Sequence, residues 1–315
     1  MSTALKPPIA FVSRHDSAAW LLALGKVLPG ERVLDEIEVS AEEALAVEIA
    51  LVADPDPARL ARFPNLRWVQ SVWAGVERLV PLVAERNVPL VRLVDPTLAN
   101  TMAEAVLAWT LYLHRDMPLY AQQQRQRVWL PHACAPAGEL TVCILGLGEL
   151  GRAAATRLAA AGYRVTGWSH SVKTLAGVTC LTGESGLREA ITNARIVVLL
   201  LPLTAQTHHL INAERLGWMR NGADLINFAR GGVVDTEALL VALDEERLGH
   251  AVLDVFDEEP LPAESPLWNH QRVTVLPHIS APTDRESAAQ IVASNIRQFR
   301  ASGMIPTLVD TARGY

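Results

Sequence analysis

Short apolar runs alternate with helix-length amphipathic segments over most of the chain. From about residue 140 the runs are "TVCILG" (141–146), "GYRVTGW" (162–168), "ARIVVLLLP" (194–202), "GADLINFA" (222–229), "HAVLDVF" (250–256) and "RVTVLP" (272–277). Continuous apolar stretches of this length, closed by Gly, Pro or a charge, predict strands buried on both faces. Between them, "LGRAAATRLAAA" (150–161) is rich in strong helix formers, and "TEALLVALDEERL" (236–248) carries apolar residues at helical spacing with charges opposite. Strands alternating with helices imply an α/β fold whose parallel sheet is covered on both faces. Six strands in one block is the size of a Rossmann domain.

The first hundred residues predict a smaller α/β unit, with strands in "PIAFV" (8–12), "VEIALVA" (47–53) and "LRWVQ" (66–70). "NTMAEAVLAWTLYLHRDM" (100–117) reads as one long helix entering the larger block, and "RESAAQIVASNIRQFRAS" (285–302) as a helix leading back. The expected organisation is therefore a substrate domain from residues 1–100 and 285–315, a dinucleotide-binding domain from 101–284, and a cleft between the two.

Composition narrows the class of protein. The 315 residues are half hydrophobic with a formal charge of -6. A net negative surface argues against nucleic acid or an anionic membrane as the main partner. The N-terminus has no secretory pattern, and no apolar run approaches a membrane span. Cys134, Cys143 and Cys180 have no metal-ligand spacing and read as reduced, structural thiols of a cytoplasmic protein. His208 and His209 are expected to open a helix, with no acidic or thiol ligand at metal spacing nearby.

"GLGELG" places Gly146, Gly148 and Gly151 after a strand, with Glu149 and Leu150 opening the helix. The first glycine permits a tight turn, the second a close approach of pyrophosphate, the third close helix–strand packing. The helix N-terminus supplies free N–H donors for the phosphates. Some 20 residues on, an NAD-binding domain usually keeps an acidic residue for the ribose hydroxyls. "GWSHSVK" (167–173) has none. Ser169 and Ser171 can donate to a phosphate, and His170 and Lys173 can add positive charge. The segment therefore favours NADPH, with NADH as a second cofactor.

Ligands of open α/β sheets bind beyond the carboxyl ends of the strands. Three chemically matched residues stand at such ends: Arg230 after Ala229, Glu259 before Pro260, and His278 after Pro277. An arginine fork suits a substrate carboxylate. A histidine exchanges protons near neutral pH, and a carboxylate beside an imidazole favours its charged form. The set suits reduction of a 2-keto acid, with a hydride from the cofactor and a proton from His278.

These residues, with "LLLPLTAQT" (199–207), "INFARGGVVD" (226–235), "VLDVFDEEPLP" (252–262), "SPLWNHQRVTVLPHIS" (265–280) and the terminal "ARGY", resemble the D-isomer-specific 2-hydroxyacid dehydrogenases over the whole chain, and more closely the glyoxylate/hydroxypyruvate reductase A family. The resemblance implies a flavodoxin-like substrate domain beside a six-stranded Rossmann domain. It matches Arg230, Glu259 and His278 to the family's catalytic residues. It matches Ala74, Gly75 and Val76 of "WAGVE" (73–77) to backbone donors for the substrate carboxylate. Met102, Leu201, Pro202, Thr207, Ala229 and Asp254 match cofactor-lining positions, Asp254 as partner of the nicotinamide amide. A homodimer through the nucleotide-binding domain is also implied. Trp73 departs from the smaller residue of many relatives and is expected to narrow the substrate pocket. His170 stands where close relatives carry arginine. Two alternatives accompany this reading: another dehydrogenase of the fold, such as one acting on 3-phosphoglycerate, and a regulator that senses nucleotide without turnover.

Overall fold

The computed structural model describes residues 6–14 and 17–315. The chain divides into two compact units, residues 1–97 with 283–315, and residues 98–282. Each is built on its own parallel sheet.

The first unit holds β1 (Ile9–Ser13), β2 (Val33–Asp35), β3 (Ile49–Ala53), β4 (Trp68–Ser71) and β5 (Leu90–Val91) in the order β2-β1-β3-β4-β5, all pairs parallel. This is the flavodoxin-like order. Period-two alternation divides each strand between two cores: Ile9 and Phe11 face one cluster, Ala10 and Val12 the other. The first cluster is closed by α1 (Ser17–Val27) and the last helix, α10 (Arg285–Ser302). The second takes residues from α2 (Ala41–Ala44) and α3 (Val80–Glu85). β2 and β5 were not predicted, because three and two residues are too few to show alternation. Asp284 caps α10 by accepting from Ser287 N–H (2.7 Å), and Gly303 ends it at φ +72°.

Helix α4 (Pro96–His114) spans the boundary at residue 98 and is followed in the second unit by α5 (Met117–Gln126). The single helix expected over 100–117 starts four residues earlier and stops at His114. The cause is Pro118, whose ring clashes with the carbonyl four residues back, so Asp116 turns left-handed (φ +51°) and a new helix begins.

The second sheet contains β6 (Thr141–Leu145), β7 (Arg164–Trp168), β8 (Val178–Leu181), β9 (Ile196–Leu199), β10 (Ala223–Asn227), β11 (Leu248–Leu253) and β12 (Val273–Val275). Their order is β12-β11-β10-β9-β6-β7-β8, with every pair parallel. Seven strands replace the six predicted. The unpredicted one is β8, a four-residue edge strand paired only with β7 and partly exposed, so it lacks the apolar run that marks its neighbours. Helices α4 and α6 (Glu149–Ala160) cover one face, and α7 (Gly183–Thr192), α8 (Ala213–Leu216) and α9 (Thr236–Asp244) the other. Strand order reverses between β6 and β9, the switch point where this architecture binds its ligand. No helix among the described residues is long and apolar enough to cross a membrane.

Candidate active site

The glycine loop leaves β6 at the switch point. Gly146 adopts φ +107°, and its N–H donates to the Trp168 carbonyl at the end of β7 (2.8 Å). A Cβ on Gly151 would lie 1.7 Å from the Gly146 carbonyl oxygen, so only glycine lets α6 begin this close to the strand. Gly148 caps the helix without a side-chain partner, and the space over its α-carbon is open. Among the described residues the N–H groups of Gly148, Glu149 and Leu150 make no hydrogen bond. Three free donors at a helix N-terminus beside open space fit a dinucleotide pyrophosphate.

Beyond β7, His170, Ser171 and Lys173 are exposed. Ser169 is buried and donates its hydroxyl hydrogen to the Ser171 carbonyl (2.7 Å), so it shapes the loop instead of offering a donor. The next carboxylate, Glu184, is paired with Arg215 (2.9 Å). Beyond β9, Thr207 donates to the Pro202 carbonyl (2.6 Å) and accepts from Thr204 N–H (2.8 Å), tying the 202–207 turn to itself. Leu201, Ala229 and Met102 are buried in the second unit's cores. His208 and His209 do not open a helix. They lie in a turn held by His208 N–H to the Thr204 carbonyl (2.9 Å) and His209 N–H to the Gly232 carbonyl (2.7 Å), and the helix starts only at Ala213, capped by Asn212.

The three strand-end residues gather at the carboxyl edge of the second sheet. Buried Asn227, last in β10, accepts from Ala229 N–H (3.1 Å) and donates to the Arg230 carbonyl (3.0 Å), fixing the turn that presents Arg230. Gly231 brings that turn against the chain after β11: a Cβ there would lie 2.0 Å from the Phe256 carbonyl carbon. The Phe256 N–H in turn donates to Glu259 Oε1 (2.9 Å). The other carboxylate oxygen, Oε2, receives the Nδ1 hydrogen of His278 (2.7 Å). A carboxylate only accepts, so Nδ1 carries the hydrogen and Nε2 is left for a substrate. The His278 backbone is left-handed (φ +53°), a costly state for a non-glycine residue. Buried Asp254 holds it there, accepting from Ile279 N–H (2.7 Å) with one oxygen and Ser280 N–H (2.9 Å) with the other. Its carboxylate thus serves the histidine loop. Sequence reading overlooked Asn227, although a lone polar residue closing an apolar run was a usable signal.

In the first unit, "WAGVE" follows β4. Trp73 is half-buried and packs on that unit's core. Its carbonyl accepts from Leu93 N–H (3.1 Å). The N–H groups of Ala74, Gly75 and Val76 make no hydrogen bond among the described residues. Amides without a protein partner remain available as donors to an anion.

A doubly wound sheet with a phosphate-ready glycine loop, and a histidine–carboxylate pair beside an arginine turn, define a nicotinamide-dependent dehydrogenase. The profile for the NAD-binding domain of D-isomer specific 2-hydroxyacid dehydrogenases matches residues 107–280. Glyoxylate/hydroxypyruvate reductase A of Citrobacter koseri is 36% identical over 306 residues, covering 95% of this chain and 97% of its own. A D-isomer specific 2-hydroxyacid dehydrogenase from Xanthobacter autotrophicus Py2, solved with NADPH and MES, superposes with a TM-score of 0.92 at 40% identity, covering 98% of this chain and all of its own. An NADPH-dependent glyoxylate/hydroxypyruvate reductase from Sinorhizobium meliloti, solved with NADP and sulfate, gives 0.91 at 33% identity, with 98% of this chain and all of its own covered. The chain belongs to the D-isomer-specific 2-hydroxyacid dehydrogenase family.

Proposed function

We propose that the protein reduces small 2-keto acids, glyoxylate and hydroxypyruvate first among them, to 2-hydroxy acids with NADPH. The observation that carries this reading is the 2.7 Å bond from His278 Nδ1 to Glu259 beside the Arg230 turn. The activities for which the relatives are named support the substrate class, and the NADP-bound relatives support the cofactor. Gly148, Glu149 and Leu150 hold the pyrophosphate through their N–H groups. Ser171, His170 and Lys173 face the 2′-phosphate, where no free carboxylate repels it. When bound, NADPH supplies the hydride that reduces the carbonyl carbon.

Arg230 binds the substrate carboxylate through its fork and polarises the carbonyl. His278 Nε2 gives a proton to the carbonyl oxygen as it gains charge, while Glu259 keeps the ring oriented. Ala74, Gly75 and Val76 add backbone donors for the carboxylate. The second unit also pairs two copies of the chain through residues 128–130, where Val128, Trp129 and Leu130 are all exposed.

The assay is NADPH oxidation followed by absorbance with glyoxylate and with hydroxypyruvate. Turnover is expected with both, and His278→Ala should lower kcat about 10²–10⁴-fold while NADPH still binds. Absence of oxidation with every 2-keto acid tried refutes the reading.

A further inference from the structure

A fully enclosed amide must find partners for one oxygen and two N–H hydrogens. Gln70, third residue of β4, is 0% exposed, opposite Leu51 on β3 and Val91 on β5. Its Oε1 accepts from Asn295 Nδ2 (2.8 Å) on α10. Its Nε2 donates to the Ser71 carbonyl (2.8 Å) and, at 3.4 Å, to the Val91 carbonyl. The Ser71 hydroxyl continues the path. It accepts from Trp73 N–H (3.0 Å) and donates to the Trp73 carbonyl (2.9 Å). Hydrogen bonds therefore run from α10, across the end of the sheet, into the residue that directly precedes the unbonded amides of Ala74, Gly75 and Val76.

Asn295 lies in step with Ala288, Val292 and Phe299, the buried stripe by which α10 packs on this sheet. An apolar residue there would pack as well. The polar pair differs from an apolar one in gripping the backbone of residue 71, at the root of the loop. The geometry points to Gln70 and Asn295 as positioning residues for the substrate: a buried amide relay that aims the three loop N–H groups and thereby sets affinity for the keto acid's carboxylate. This inference rests on the reading of 74–76 as the carboxylate-binding segment. Neither side chain touches substrate.

The carboxylate is bound alike before and during reaction, so a loosened loop raises KM and leaves kcat nearly unchanged. Removing one partner strands the other without a hydrogen bond and destabilises the fold; replacing both spares that penalty, and takes the Gln70 donor only from the Ser71 and Val91 carbonyls. The informative variant is therefore Gln70→Met/Asn295→Leu, with glyoxylate as the probe. Expected are a modestly lowered Tm, kcat within about twofold, an unchanged NADPH Kd, and a KM raised about tenfold. Ser71→Ala cuts the last link with little change in volume and should raise KM similarly, which covers the case of a double variant that fails to fold. Val76→Pro deletes one loop N–H and tests the loop itself. A raised KM in Val76→Pro with wild-type KM in both relay variants overturns the relay alone. Wild-type KM in all three overturns the loop assignment and the relay with it. A NADPH Kd that rises in parallel with KM also overturns the relay, because it reports general damage.

Discussion

His278 exposes about half of its side chain on a left-handed backbone, with Glu259 holding Nδ1 and Asp254 holding the two amides that follow. The imidazole is thus fixed by one carboxylate at its ring and by another at the backbone that follows it. His170 presents the opposite situation: it is exposed on the loop after β7 and flanked by exposed Ser171. Arginine carries a permanent charge and a planar fork of donors matched to phosphate, which an imidazole lacks. Replacing His170 by arginine should tighten NADPH binding about three- to tenfold and leave NADH binding unchanged. Fluorescence titration of both cofactors checks this. An unchanged NADPH affinity removes His170 from the phosphate site.

Elements differ in how plainly the chain announces them. The long apolar runs of β6, β9, β10 and β11 declare themselves, and with them the strand ends where Arg230, Glu259 and His278 stand. β8 is an edge strand, β2 and β5 are too short to alternate, and none of the three shows a pattern. The supports of the site were hidden for another reason. Asn295 lies 225 residues from Gln70 and Asp254 lies 25 from Ile279, separations over which no periodicity extends. The segment after α5 is also informative at this scale. It is tied down at His132, whose N–H donates to Tyr120 Oη (2.9 Å), and at Ala135, whose carbonyl accepts from His114 Nε2 (2.7 Å). Ahead of these ties, Trp129 is 99% exposed between exposed Val128 and Leu130. Such a patch marks an interaction surface, and a buried interfacial tryptophan is a typical hot spot. If two copies pair here, Trp129→Ser should weaken the dimer at least about 30-fold, a loss of about 2 kcal/mol. Sedimentation equilibrium over a concentration series measures it. A monomeric wild type, or a variant with the wild-type dissociation constant, disproves the pairing.

Across the whole molecule, stability depends on pH through groups far from the chemistry. His250 on β11 is buried and bonded through Nε2 to Thr274 Oγ1 on β12 (2.8 Å), and burial pushes it down to about 4. Asp224 on β10 is pushed up to about 7 by burial, against the opposing pull of Arg195 at 2.5 Å. The two act with opposite sign. In the unfolded chain a histidine takes up its proton near 6.5, but folded His250 does so only near 4. Between those values the unfolded state binds more protons, so this residue makes stability rise with pH and fall as the solution is acidified. Folded Asp224 binds its proton up to about 7, well above the unfolded value, so it makes stability fall as pH rises through that range. The wild-type profile is therefore flatter than either group alone would make it. His250→Gln removes only the rising component. Urea unfolding at pH 7.5 and pH 4.5 should show the variant gaining about 2–3 kcal/mol relative to wild type on going to the lower pH, with all groups common to both proteins cancelling in the comparison. A difference between variant and wild type that is the same at both pH values would mean that His250 is not held neutral by the fold.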